Sequence, residues 1–157
     1  MTATKDSWKR ESFTDGRPIP YQGTFSRQEF EKIREGLIPK VTEDKWFIYF
    51  EEPHLFLHRS WTGQPIYRLT LTASACVAEA LCAPQVLEKT WPAYEAELLD
   101  FIVSNLLLGK TKPFPVPARA RNPESGLFQH VVSGTGFPQS YPGIAAASRR
   151  WWKFWRK

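Results

Sequence analysis

Two of the three histidines fall within Lys45–Leu71, and six consecutive residues there, His58-Arg59-Ser60-Trp61-Thr62-Gly63, form the one compact polar cluster in the chain. Histidine serves as a general base near neutral pH, and arginine clamps a phosphate or carboxylate through two parallel hydrogen bonds. On an extended chain, however, consecutive side chains point to opposite faces, so His58 and Arg59 do not readily share a ligand. Read as strands, the stretch puts Tyr49, Glu51, Ser60 and Tyr67 on the face of His58. A His–Glu or His–Tyr pair there orients the imidazole, either in a buried polar network or as a catalytic base. The catalytic residues are not fixed by this pattern; His58, Glu51 and Tyr49 are the candidates. The other face carries Trp46, Arg59, Trp61 and Arg68, an aromatic and guanidinium surface of the kind on which bases stack. These four are the candidate ligand-binding residues. The competing reading makes Trp46 and Trp61 either core or covered by residues 113–137, with the arginine stems packed alongside.

Other chemistries find less support. His54, His58 and His130 are too scattered for a metal cluster, and no metal or cofactor is expected. Cys76 and Cys82 have a spacing that matches no common zinc or redox pattern, so they read as small apolar side chains in or beside a strand. There is no glycine-rich phosphate loop after a strand and no G-x-S-x-G motif.

Charge is divided sharply along the 157 residues. Positions 1–109 hold 12 Lys+Arg against 15 Asp+Glu, a net of −3, whereas positions 110–157 hold 9 against 1, a net of +8. The last nine residues, Arg149-Arg150-Trp151-Trp152-Lys153-Phe154-Trp155-Arg156-Lys157, combine five cations with three tryptophans and a phenylalanine. That composition suits a membrane interface, where indoles sit at headgroup depth and cations meet anionic lipid. It also suits single-stranded nucleic acid, which ranks below a membrane or other polyanion as the expected partner. A protein partner is a further expectation. The N-terminus has no apolar signal-peptide core and no window is long enough to span a bilayer. The expected location is the cytoplasm, with peripheral attachment at the membrane.

The elements that must position these residues are legible in outline. Residues 1–25 read as a flexible polar arm, pinned at most by Trp8 or Tyr21. Ser26-Arg27-Gln28-Glu29 has capping-box spacing, with Phe25 and Phe30 placed as a hydrophobic staple, and the helix closes near Gly36 and Pro39. The period then changes from helical to two: Lys45–Glu51, Leu55–Trp61, Ile66–Thr72 and Cys76–Cys82 read as strands, with turns at Glu52-Pro53 and Thr62-Gly63-Gln64-Pro65. A two-residue first turn places Phe50 opposite Leu55, Ile48 opposite Leu57 and Trp46 opposite Arg59. A second helix begins at Thr90-Trp91-Pro92, buries Tyr94, Leu98, Phe101, Ile102 and Leu108, and ends at Gly109. Its Glu95, Glu97 and Asp100 sit toward the positive end of the helix dipole. The expected fold is α+β: a four-stranded antiparallel meander over residues 26–109 with two helices on one face. A Pro/Gly-rich extension (110–148) and the basic tail (149–157) follow. Both faces of the meander are partly apolar, so either a second layer covers the sheet or one face holds a ligand.

The segment DKWFIYFEEPHLFLHRSWTGQPIYRLTL with the downstream YEAELLDFIVSNLLLG helix resembles a family of small bacterial proteins sharing a KWF strand, an HRSWTG hairpin and an LL-x-F helix. The resemblance covers about residues 26–109 and leaves the tail outside. It implies no established activity; segments similar to these, beside enzymes of ADP-ribose metabolism, point to a nucleotide or ADP-ribose-type ligand at the hairpin. The expected function is a non-enzymatic accessory or interaction protein whose tail engages an anionic surface. Binding or hydrolysis of that ligand at the HRSWTG hairpin is the alternative.

Overall fold

The structure, a computed structural model, describes residues 2–115. The expectations for residues 116–157, including the anionic-surface residues Arg149 to Lys157, therefore lie outside the described residues. Within them the chain forms β1 (Arg17–Pro18), α1 (Arg27–Glu35), β2 (Trp46–Glu51), β3 (His54–Arg59), β4 (Pro65–Leu71), β5 (Val77–Cys82), α2 (Pro84–Leu87) and α3 (Pro92–Ile102). A π-helical turn, Val103–Leu107, continues α3. The class is α+β, as expected, but the antiparallel sheet has five strands rather than four, in the order β1-β5-β4-β3-β2. The fifth is a two-residue piece of the N-terminal arm, and α2 is a short third helix.

Local chemistry accounts for most of these elements. At α1 the Ser26 hydroxyl accepts from the Glu29 amide at 3.1 Å, and the Glu29 carboxylate accepts from the Ser26 amide at 2.9 Å. The helix buries Ile33 fully, and Phe30 meets Phe50 edge-on at 5.7 Å. The β2–β3 turn is the two-residue Glu52-Pro53, and the register pairs Trp46 with Arg59, Ile48 with Leu57 and Phe50 with Leu55. Burial on the helical face of the sheet runs through Trp46, Ile48, Leu55, Leu57, Tyr67, Leu69, Ala80 and Cys82, which pack with Ile33 of α1, Val86 of α2 and most of α3. Removing this much apolar surface from water is the dominant stabilising term.

Strand β4 departs from the expected pattern. Leu57 pairs with Tyr67 but His58 pairs with Pro65, so Ile66 is an extra residue in a β-bulge. Because side chains alternate with period two, one extra residue exchanges the faces of everything after it. Tyr67, Leu69 and Leu71 consequently face the helices, while Arg68 and Thr70 share the other face with Phe56 and His54.

Residues 2–16, expected as a mobile arm, run across that other face as a strap. The Ala3 amide donates to the Glu35 carbonyl at 2.7 Å, the Trp8 indole to the Ser60 carbonyl at 2.7 Å, and the Glu11 amide to the Gly63 carbonyl at 2.8 Å. The arm then continues through β1, and the Ile19 amide donates to Ala80 on β5. Ala3 completes a small apolar cluster with Phe47 and Tyr49. Gly63 is required where the strap crosses the hairpin. Its φ is +75°, and a Cβ there would lie 2.9 Å from Arg10 Cα and 3.1 Å from the Lys9 carbonyl oxygen. Gly63→Ala should therefore cost about 1–3 kcal/mol from the backbone alone, with a further loss as the strap shifts. Urea unfolding measures it, and an unchanged midpoint would contradict this seating of the strap.

Candidate functional site

The HRSWTG hairpin end is built from β2, β3 and their loops, and its polar groups are engaged in holding those loops. The Ser60 hydroxyl, nearly fully buried, donates to the Asp44 carbonyl, and the Trp61 indole donates to the Thr42 carbonyl at 2.6 Å. The Arg59 amide bonds the Gln64 carbonyl, and the Gly63 amide bonds the Arg59 carbonyl, which closes the loop. Lys45 Nζ sits 3.6 Å from the centroid of the Trp61 ring. Burial, and then the Arg59 charge, lower the Lys45 amine to about 8.

The four candidate ligand-binding residues do not form one surface. Trp46 is 2% exposed, with the Arg59 guanidinium carbon 5.0 Å from its ring and the Tyr67 ring stacked on it at 5.9 Å. Arg59 is itself 8% exposed, and burial pulls its guanidinium down to about 10, so it stays charged at neutral pH. Trp61 lies at the rim with Lys45. Arg68 is on the opposite side of the sheet, 5.3 Å from the Phe13 ring of the strap and 3.3 Å from Glu79. The bulge at Leu57/His58 is the physical reason: it rotates β4 by one residue relative to the expected register.

Of the three catalytic candidates, the structure brings His58 and Tyr49 together and leaves Glu51 apart. His58 is fully buried, its ring stacked 5.7 Å from Tyr49, while Glu51 is exposed at the far end of β2 opposite His54. Burial lowers the His58 pKa to about 4, with the Glu11 carbonyl opposing that shift and Arg10 adding to it. A histidine held below its ordinary 6.5 contributes stability that is present above that value and lost as pH falls through about 4. Tyr67, expected beside His58, faces the helices instead.

There it forms a buried polar cluster that the sequence reading missed. The Tyr67 hydroxyl donates to Oε2 of Glu95, a fully buried carboxylate on α3. Glu95 Oε1 and the Tyr94 hydroxyl are buried without a hydrogen-bond partner. Desolvation raises the Glu95 pKa, with the Tyr67 hydrogen bond and the neighbouring Thr90 side chain acting against it, and burial together with the Glu95 charge raises Tyr67 well above its ordinary value. A carboxyl raised on folding favours the folded state most below its unfolded pKa, and that contribution is lost as pH rises through the folded value. Glu95→Gln should accordingly raise the melting temperature at neutral pH, with the difference shrinking toward the ordinary carboxylate range. Thermal melts across pH check this, and a Gln variant that is less stable at neutral pH would contradict it.

Open clefts lie elsewhere among the described residues. One, of about 720 Å³, runs between Pro20-Tyr21-Gln22, the Ala93–Phe101 side of α3 and Lys112–Pro115; Phe114 meets Phe101 edge-on there, and Lys112 bonds Asp100 at 2.7 Å. Another, of about 530 Å³, adjoins the hairpin through Thr62 and Gln64. Among the described residues its lining includes Glu11, Asp15 and Glu88 and no cationic side chain, a field that repels phosphate. Among the described residues no group of His, Cys, Asp or Glu is arranged to hold a metal, and no helix is long and apolar enough to cross a membrane. Cys76 and Cys82 are free thiols. Set against protein families, curated proteins and solved structures, the chain finds no match.

Proposed function

We propose that this protein is a non-enzymatic accessory module whose basic, tryptophan-rich C-terminal segment engages an anionic surface, a membrane leaflet before any other polyanion. The observation that carries the reading is the division of charge: a body of net −3 followed by a segment of net +8 whose last nine residues combine five cations with three indoles. Each cation brought to an anionic leaflet contributes about 1 kcal/mol before screening, and indole insertion adds an apolar component that salt does not remove. The packing of Trp46, Arg59, Ser60 and His58 supports it as well, because these polar and aromatic groups are engaged within the fold. The reading places the protein in the cytoplasm, peripherally attached.

Co-sedimentation of the full chain with vesicles tests it. Binding is expected to phosphatidylserine-containing vesicles and much less to pure phosphatidylcholine, with most of it lost at 1 M salt. Equal binding to both lipids, or none to either, would contradict the proposal. Tighter binding to a single-stranded oligonucleotide than to the anionic vesicles would move the assignment to nucleic acid.

A further inference from the structure

The strap over the second sheet face has one fastening that depends on a proton. His58 Nε2 lies 2.9 Å from the Glu11 carbonyl oxygen, so that nitrogen carries the hydrogen and donates it. In the neutral ring Nδ1 is then a bare lone pair, and it is buried with no hydrogen-bond partner. Around the imidazole are the rings of Phe47, Tyr49 and Phe56, with centroids 5.7–6.4 Å from its own. The ionisable groups facing the site are few. From the strap, Arg10 lies over the Tyr49 ring at 5.7 Å and opposes a second positive charge, whereas Glu11 offers its backbone carbonyl, which is already used. From β2 comes the Tyr49 phenol, whose pKa burial raises, so it is neutral. Farther along the same face, Arg68 of β4 and His54 of β3 are engaged with Phe13 and Thr70.

We propose that His58 is an acid-sensitive latch: protonation at Nδ1 releases the strap and uncovers the aromatic sheet face of Phe47, Tyr49 and Phe56, while the sheet and its helical layer stay folded. A proton on Nδ1 creates a buried N–H with no acceptor and a cation beside Arg10, both strongly unfavourable in a dry site. The strain is relieved by the most weakly held element in contact with the ring. Strand β3 is laddered on both sides, to β2 and to β4. The strap has no ladder over residues 2–16 and is held by isolated hydrogen bonds at Ala3, Trp8 and Glu11, by the side-chain contacts of Ala3 with Phe47 and Tyr49, Arg10 with Tyr49 and Phe13 with Arg68, and by the ring itself. Burial keeps the ring neutral down to a pH of about 4, so the latch is closed at neutral pH.

The test is a pH titration of the full chain by ¹⁵N NMR from pH 7 to below 4. The Trp8 indole and Glu11 amide signals should leave their native positions with the same midpoint as the His58 ring, while the Leu57 and Leu69 amides keep theirs. His58→Gln retains a donor toward Glu11 but cannot titrate, and should hold the strap shut across that range. Arg10→Gln removes the opposing charge, and should move both the His58 midpoint and strap release to higher pH. Three results would overturn the latch. The strap could stay in place while His58 titrates, or leave together with the core. It could also leave at the same pH in His58→Gln, which would assign release to the strap carboxylates Asp6, Glu11 and Asp15. If His58→Gln does not fold, the Arg10→Gln shift decides: an unmoved midpoint of release rejects the proposal.

Discussion

Trp46→Ala should destabilise the folded domain by about 3–5 kcal/mol, a large share of the 5–15 kcal/mol typical of a domain. The indole is 2% exposed, stacked on Tyr67 and covered by Arg59. Truncation opens a cavity, removes the aromatic contact and uncovers a buried guanidinium at once. Trp61 provides the contrast. Half-buried at the rim, with its indole bonded to Thr42 and Lys45 above its ring, it should lose only about 1 kcal/mol on truncation. Urea unfolding of the two variants separates a core tryptophan from a ligand platform. If Trp46→Ala kept wild-type stability but lost a nucleotide-induced thermal shift, Trp46 would belong to a binding surface, as the alternative reading of the hairpin requires.

What could be read from the sequence, and what could not, follows from how local each signal is. The α1 cap is a four-residue pattern, and both of its reciprocal hydrogen bonds form. The β2–β3 register follows from a two-residue turn, and the expected pairs Trp46–Arg59, Ile48–Leu57 and Phe50–Leu55 are the observed ones. The β3–β4 connection holds no comparable signal. In SWTGQPI one residue can be assigned to the loop or to a bulge, and the choice decides whether Tyr67 or Arg68 faces the helices. That ambiguity dissolved the expected grouping of Trp46, Arg59, Trp61 and Arg68.

Two further differences are tertiary in origin. The mixed apolar character of both sheet faces left open a second cover or a bound ligand, and the N-terminal arm was expected to be mobile rather than to supply that cover. Within the described residues the N-terminal strap does so, through widely spaced contacts at Ala3, Trp8, Glu11 and Phe13 that leave no periodicity. Glu95 was placed by the helix dipole at a favourable N-terminal position. Its burial against Tyr67 is set by which side of α3 meets the sheet. A carboxylate in a run of apolar helix residues, PAYEAELLDFI, is the faint signal that was present.

Deletion of Arg149–Lys157 carries the second large expected effect. The deletion removes five cations and no acids, leaving a chain of formal net charge zero. At about 1 kcal/mol per cation, affinity for anionic vesicles should fall by at least two orders of magnitude. Salt should weaken the wild-type interaction in parallel, because the Debye length shrinks from about 10 Å at 0.1 M to about 3 Å at 1 M. The most direct measurement is therefore partition of the full and truncated chains onto phosphatidylserine-containing vesicles, with thermal melts run on the same samples. Truncation should abolish binding almost completely, remove the vesicle-induced blue shift in tryptophan emission, and leave the melting temperature unchanged. Undiminished vesicle binding together with a melt lowered by many degrees would contradict the proposal, and would make Trp151, Trp152 and Trp155 part of the packed structure.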